Sequence, residues 1–463
     1  SFRSRYMFTV SFRADGSSKF SPDNRWGYFP SGAFAWRLGE EKFMRRLRFI
    51  DDAKLRISYG VTGNNRIGDY SVHPSLTLSD YYSFNNGQPA DAIVTSSLGN
   101  QDLIWESTEQ VDAGLDLRLF KNRISLTVDW YQKKTRDLLL NANLPYSSGY
   151  RSVYKNIGKV RNRGLEISLS TVNVKTRRFE WSSDFNISFN RSRVLALSEG
   201  EENYLSKISF TGDFNSTYLY LAKVGQPVAQ FYGIEWAGVY GYEDFDQDAA
   251  GNYTLKKGVA TNGNDRSSIQ PGDIKYVDQN GDGVVNNYDR AAVGNPRTPE
   301  IQYGIPVGLS YKGFDFSMLW QGSALCSVQL SGPAVWDFPL YDQSRTGKVR
   351  KMHLNRWTPE TAATATYPAL HYGIHNNNKQ QYSSLFLYDA SYIRLKNVEI
   401  GYTLPKAWTS KAGIQSVRIY AQGQNLLTFD RLGDVDMDPE IKNGDGSWFP
   451  VQRVVNLGIN MTF

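Results

Sequence analysis

One twelve-residue stretch has the composition and spacing of a calcium-binding loop. It has the sequence DQNGDGVVNNYD, and its oxygen-bearing side chains occupy loop positions one, three, five, nine and twelve, which are Asp278, Asn280, Asp282, Asn286 and Asp289. The carbonyl of Val284 would supply position seven, and Gly283 at position six permits the sharp turn that gathers oxygen ligands around one ion. This is the spacing of an EF-hand loop, with the shorter Asp in place of Glu at position twelve.

We expect this loop to bind a structural calcium ion that keeps the long segment around it ordered. The alternative is a surface turn rich in Asn, Asp and Gly that binds no ion. No nucleophile or base accompanies the loop, and the sequence shows no Ser/His/Asp grouping, so we do not expect an enzyme. The four His residues lack metal-ligand spacing, and the single Cys326 leaves no disulfide within the chain.

A second acidic group lies near the C-terminus. Its members are irregularly spaced, at Asp430, Asp436, Asp438, Glu440 and Asp445. Irregular spacing favours a solvated or partner-facing loop, with a metal site as the alternative. The net charge of +6, without an extended basic cluster, gives no support to nucleic-acid binding.

The elements that carry these residues have the pattern of β-strands. At the C-terminus, five apolar residues alternate with small or polar ones, namely Val455, Leu457, Ile459, Met461 and Phe463. About twelve such strands recur along the chain. No apolar run reaches the ~18 residues of a membrane helix, mean hydropathy is −0.47, and 14% of the residues are aromatic. Together these features are typical of a transmembrane β-barrel, in which alternation dilutes the apolar residues.

The connections between strands alternate between short and long. We predict tight turns at Lys121, Thr176 and Lys312 and a medium turn after Leu404, and long loops over about 64–103, 197–299, 331–385 and 431–451. If the C-terminus is periplasmic, all short turns face the periplasm and all long loops face outward, as in outer-membrane barrels. Stacked soluble β-sandwiches, the alternative, do not predict this segregation. We therefore predict an all-β antiparallel barrel in the outer membrane.

A sheet that spans lipid must close, because every backbone group needs a partner. Twelve strands could close on themselves. The other arrangement has further strands upstream, and we favour it because the sequence starts in a strand at Ser1, without Met or a signal peptide. On this interpretation the chain is the C-terminal part of a longer polypeptide.

Six stretches, in the same order along the chain, carry a family resemblance. They are LRISYGVTGN at 55–64, KVGQPVAQFYG at 223–233, residues 273–294 with Pro296, YIRLKNVEIGYTL at 392–404, residues 416–429 with the ending QNLLTF, and the terminal VNLGINMTF. Collectively they resemble the SusC/RagA-type transporters, a branch of the TonB-dependent receptors of Bacteroidetes. The resemblance implies a 22-stranded barrel with a plug domain inside it and a TonB box upstream. About twelve C-terminal strands would be present here, without the plug or the TonB box.

The resemblance also implies active nutrient import. It implies a SusD-like surface lipoprotein as a lid, coupling to TonB through the missing N-terminal part, and surrounding lipid or lipopolysaccharide. Exposed rings in the outer loops could bind a glycan or peptide substrate, or could instead pack the loops together; they are Trp336, Tyr341, Trp357, Tyr367, Tyr372 and Trp448. Inward polar residues would line the lumen or contact the plug, with the plug favoured, and include Asp112, Asp116, Arg118, Asp129, Arg394 and Glu399.

Two other functions stay open at this point. The barrel could be a passive porin, or it could be a subunit of a larger outer-membrane machine for export or assembly. Oligosaccharide and peptide cargo use the same aromatic and polar loop chemistry, so the sequence does not choose between them.

Overall fold

The computed structural model describes residues 1–85, 88–144, 146–150, 152–197, 203–207, 218–330, 351–371, 383–435, 437–441 and 449–463. Twelve long strands form one antiparallel sheet in chain order, which confirms the predicted all-β fold. The strands are β1 (Tyr6–Gly16), β2 (Trp26–Arg37), β3 (Ile50–Asn64), β4 (Glu106–Leu119), β5 (Ile124–Arg136), β6 (Lys159–Lys175), β7 (Phe179–Ala196), β8 (Ile301–Tyr311), β9 (Phe314–Ala324), β10 (Tyr392–Thr403), β11 (Ser416–Asp430) and β12 (Val454–Thr462).

The chain divides into two compact units. The first comprises Ser1–Thr171, Ser188–Tyr204 and Lys223–Val228, and therefore contains β1 to β5 and most of β6. The second comprises Val172–Ile187, Leu205–Ala222 and Ala229–Phe463, and contains β8 to β12.

Helices are short and lie in the connections. The single α-helix in the described part of the chain is α1 (Lys406–Thr409). Turns of 3-10 helix occupy Pro22–Asn24, Leu38–Glu40, Met44–Arg46, Tyr146–Ser148, Tyr242–Asp244, Asn287–Asp289, Lys351–Asn355, Ser384–Phe386 and Ser410–Ala412. Among the residues that the structure describes, no helix is long and apolar enough to cross a membrane.

The alternation in the sequence gives the long sheet one apolar face. On that face, Phe8 of β1 packs against Phe34 of β2 with ring centroids 4.9 Å apart, and Phe8 stays 68% exposed. Leu457 of β12 is 84% exposed. Rows of exposed apolar side chains along the strands are what a lipid-facing surface requires.

The sequence departs from a regular strand pattern at two positions, and the structure forms a bulge at only one of them. The sequence predicts a bulge near Lys396, because Leu395 and Val398 lie in opposite phases of the alternation. The bulge is confirmed, since the pairing of β10 with β11 shifts register between Leu395 and Asn397. Proline lacks a backbone N–H, so Pro306 within a strand predicts a bulge or an irregular rung. The structure differs, because Pro306 lies in regular register opposite Leu319.

The long connections contain more structure than the sequence indicated. The segment that follows β3 forms a hairpin of Ser75–Asn85 with Gln88–Ser97, and the segment that follows β5 forms another of Leu139–Asn143 with Ser152–Asn156. Further short strands are Asn203–Lys207, Tyr218–Lys223, Gln230–Ile234, Trp236–Val239, Phe245–Gln247, Tyr253–Leu255, Ile274–Tyr276, Arg290–Ala292, Ser327–Gln329 and Leu387–Asp389. Most of these have three to six residues, too few for alternation to reveal them.

Candidate functional site: the outer loops and the charged inner face

Three long connections of the second unit share one hydrophobic core. The connection between β7 and β8 contributes Ile234 and Ile274, the connection between β9 and β10 contributes Leu330 and Phe386, and all four are 0% exposed. Leu432, after β11, is 1% exposed in the same core. We call this group the loop core. Burial on this scale packs the described parts of the three connections into one folded body, so an ion is not the sole source of their order.

The loop at 278–289 has the tight geometry that its sequence predicts. Gly281 and Gly283 adopt left-handed conformations with φ of 74° and 85°. The Asp278 carboxylate accepts hydrogen bonds of 2.8 Å from the backbone N–H groups of both glycines. The bond from Gly283 is the main cause that lowers the pKa of Asp278. An ionised carboxylate thus lies at position one of the loop.

Position twelve of the loop is already engaged by the backbone. Asp289 is 0% exposed and accepts hydrogen bonds from the backbone N–H groups of Gln279 at 2.9 Å and Asn286 at 2.7 Å. Among the described residues, no three His, Cys, Asp or Glu side chains gather closely enough to hold a metal by themselves. Side-chain amides, backbone carbonyls and water would therefore have to complete any coordination shell.

The far side of the loop is joined to the body of the connection. Thr261 donates its backbone N–H to the Gly283 carbonyl and accepts from the N–H of Val285, both at 3.0 Å. Val285 is 1% exposed and belongs to the loop core. The loop is thus anchored on one side, while Asp282 on the other side stays exposed.

Two of the six aromatic candidates lie in described segments. Trp357 contacts Tyr242, with ring centroids 5.6 Å apart, and covers Gly272 so closely that a Cβ there would lie 2.4 Å from the indole. Tyr367 is 3% exposed in the loop core, and burial raises its pKa well above the ordinary value. Its position fits the loop-packing alternative and does not fit a surface contact with substrate. Trp336, Tyr341, Tyr372 and Trp448 lie outside the described residues.

Inward-pointing charges of the first unit form an ion-paired cluster. The Arg56 guanidinium of β3 donates to Asp116 of β4 at 2.9 and 3.0 Å and to Asp129 of β5 at 2.8 Å. Gly114 leaves the space for this arrangement, since a Cβ there would lie 2.2 Å from an Asp129 oxygen. Nearby, Ser58 donates its hydroxyl to Asp112 at 3.1 Å.

The second unit has a comparable cluster. Arg418 of β11 bonds to Asp315 of β9 and to Glu399 of β10. Gly401 lies beneath the guanidinium, and a Cβ there would lie 2.4 Å from it. The sequence placed Asp116, Asp129 and Glu399 on the inner face but did not identify the arginines that pair with them. A sequence pattern could have identified these arginines. Each is a basic residue at an inward-facing strand position, next to a glycine on the neighbouring strand.

The acidic group near the C-terminus is partly an internal ion-pair network. Arg394 is 2% exposed and donates to Asp438 at 2.7 Å, and its other terminal nitrogen lies 3.2 Å from Glu440. Lys396 also bonds to Glu440, at 3.0 Å. The expectations of a solvated loop for these acids and of a luminal or plug-facing Arg394 are therefore corrected: the loop after β11 covers the arginine. Asp430 caps the N–H of Leu432, and Asp436 and Asp445 lie outside the described residues.

Comparison with protein families and curated relatives gives a consistent result. Residues 1–211 match the family described as "TonB dependent receptor-like, beta-barrel". TonB-dependent receptor P3 of Formosa agariphila is 34% identical over 100% of this chain and 44% of its own length. TonB-dependent receptor SusC of Bacteroides thetaiotaomicron is 29% identical over 99% of this chain and 42% of its own length. The chain thus spans less than half the length of these relatives.

A solved structure has a similar fold over nearly the whole chain. It is that of the RagAB peptide transporter, with a TM-score of 0.76, 25% sequence identity, and coverage of 99% of this chain and 46% of that chain.

Proposed function

We propose that this chain is part of a SusC/RagA-type TonB-dependent receptor of the outer membrane and that it contributes to an active nutrient importer. The curated relatives that it matches are named TonB-dependent receptors, and we propose transport rather than an enzymatic role. The cargo is an oligosaccharide or a peptide. Import is driven by TonB acting on a plug, and a SusD-like lipoprotein closes the outer end.

The observation that carries this proposal is the loop core. A passive pore needs little folded structure above the membrane, whereas here three connections bury Ile234, Ile274, Leu330 and Phe386 completely. A rigid body of this kind can hold a substrate and a lid protein in a fixed arrangement. Similarity to a transporter whose name gives two components, RagAB, supports a lipoprotein partner.

Uptake measurements on a deletion strain test the proposal. We expect the strain to lose growth on one class of oligosaccharide or peptide, and we expect a TonB-deficient strain to lose the same uptake. Uptake that persists without TonB would indicate the porin alternative. Co-purification with many envelope proteins, rather than with one lipoprotein, would indicate a subunit of an export or assembly machine.

For the loop at 278–289, we propose a structural calcium ion. Asp278, Asn280 and Asp282 offer side-chain oxygens, Val284 a carbonyl, and Asn286 and Asp289 complete the ligand set. Oxygen donors on a tightly turned backbone are what calcium prefers. The ion would restrain the exposed side of a loop whose other side is held by Thr261.

Chelation tests the calcium proposal. Removing calcium should make the segment around 278–289 more sensitive to protease, and adding it back should restore resistance. Asp282→Ala should behave like the chelated protein, whereas Asp248→Ala, in another exposed turn of the same connection, should retain the response to calcium. Protection that is unchanged by chelation would show that the loop is an ion-free turn.

A further inference from the structure

We propose that the turns joining β6 to β7 and β8 to β9 form a binding site for the phosphate of an anionic phospholipid headgroup. The two turns contact each other directly, because Lys312 donates its backbone N–H to the Arg178 carbonyl at 3.2 Å. They border a cleft of about 440 Å³ that also reaches Thr403 at the end of β10. The cleft is lined by both basic and aromatic side chains, including Arg177, Phe179 and Phe314.

The charge in this cleft is positive, and the Lys312 ammonium lies 5.2 Å from the centroid of the Tyr311 ring. Two carboxylates line it, but Glu180 lies 3.2 Å from Lys175, and Asp315 is bonded to Arg418. Within the part of the chain that the structure describes, neither Arg177, Arg178 nor Lys312 forms an ion pair, and all three are exposed. Three cations without carboxylate partners at one cleft favour an anion such as a phosphodiester.

The aromatic residues identify the anion as part of a lipid. Tyr311 and Phe314 end the apolar faces of β8 and β9, and they are 48% and 53% exposed. Phe179 lies beside Tyr311, with ring centroids 6.4 Å apart. Rings in this position form the interfacial girdle of a membrane barrel. A headgroup held by the basic turn would therefore place its acyl chains along these rings.

The position of the site in the fold indicates which leaflet of the outer membrane supplies the lipid. The turns are short connections, which lie on the periplasmic side of outer-membrane barrels. Each of the other short connections also contains Lys or Arg, for example Lys121 after β4 and Lys406 after β10. Basic residues next to a membrane attract anionic lipids with about 1 kcal/mol each, or about fivefold in affinity. The lipid is thus a phospholipid of the periplasmic leaflet.

Native mass spectrometry of the purified outer-membrane protein tests this site. The protein is titrated in mild detergent with phosphatidylglycerol, phosphatidylcholine and inorganic phosphate. We expect preferential retention of phosphatidylglycerol, which inorganic phosphate does not displace. R177A/R178A/K312A should reduce that retention by about a hundredfold, since the per-residue effect multiplies over three residues.

The control is R66A/K155A/K257A, which removes the same charge from exposed residues of long connections and should retain the lipid. If the triple variant does not fold, as judged by heat-modifiable gel mobility, K312A alone should still reduce retention about fivefold. Equal retention of both lipids, displacement by inorganic phosphate, or a normal signal from the variants would overturn the proposal.

Discussion

Arg394 is a cation that is only 2% exposed, and its environment predicts that substituting it has a large effect on stability. It lies between Asp438 and Glu440, and its side chain and that of Asp438 are 2% and 8% exposed. Arg394→Met would leave the buried carboxylate of Asp438 without a cation, which costs about 3–5 kcal/mol, whereas Glu440 would keep Lys396. Unfolding in denaturant, followed by tryptophan fluorescence, should show this loss.

The matched control is an exposed ion pair in the same region. Arg431 lies 3.2 Å from Asp389, but its side chain is 75% exposed. Arg431→Ala should therefore lower stability by less than about 1 kcal/mol. If the two variants lost similar free energies of unfolding, burial would not determine how much Arg394 contributes to stability.

The Asp278 carboxylate makes the loop at 278–289 sensitive to acid. Its pKa is lowered in the folded protein, chiefly by the N–H of Gly283. A group with a lowered folded pKa contributes stability that is present above its unfolded pKa and lost as the pH falls through the folded value. Hydrogen exchange at Gly281 and Gly283 should thus be constant near neutral pH and, after correction for intrinsic rates, accelerate below about pH 4. Asp278→Asn should remove this acid step.

At this scale the sequence could predict local geometry but not distant partners. The loop at 278–289 was predictable because its donors and acceptors are within twelve residues and follow a known spacing. The contact between Arg394 and Asp438 joins residues that are 44 positions apart. Only the path of the chain after β11 determines that these side chains meet.

At the scale of elements, the inner face of the first unit depends on a small residue in β4. Gly114 leaves space for the guanidinium of Arg56, and a Cβ there would lie 2.2 Å from Asp129 and 2.7 Å from Arg56. Gly114→Ala should separate this ion pair and lower stability by about 1–3 kcal/mol, as overpacking does. The thermal midpoint in detergent, read from heat-modifiable gel mobility, would measure the loss.

Gly32→Ala in β2 is the control for a glycine in a strand. A Cβ at Gly32 would have its nearest neighbour at 3.8 Å, an ordinary contact. This variant should match or slightly exceed the wild-type midpoint, because glycine weakens strands. If the thermal midpoint were lower for Gly32→Ala than for Gly114→Ala, the claim that Gly114 has no room for a Cβ would be wrong.

The strands were predictable because they are long and one face is apolar. A period of two is visible over the eleven residues of β1 or β8, and the short turns at Lys121 and Lys312 separate such runs clearly. The loop core was not predictable in the same way. Its strands, such as Ile274–Tyr276 with three residues, are stabilised by tertiary packing rather than by a local pattern.

At the scale of the whole molecule, the two faces of the long sheet should differ sharply in their tolerance of charge. Leu457, near the middle of β12, is 84% exposed on the apolar face, and Asn456 points to the opposite face. In a spanning barrel, Leu457→Arg places a cation in hydrocarbon at a cost of about 2–4 kcal/mol, whereas Asn456→Arg places the same cation in a polar interior. The folded fraction in outer membranes, measured by heat-modifiable gel mobility, should therefore fall for Leu457→Arg and stay near wild type for Asn456→Arg. Equal folding of the two variants would contradict the assignment of the apolar face to lipid.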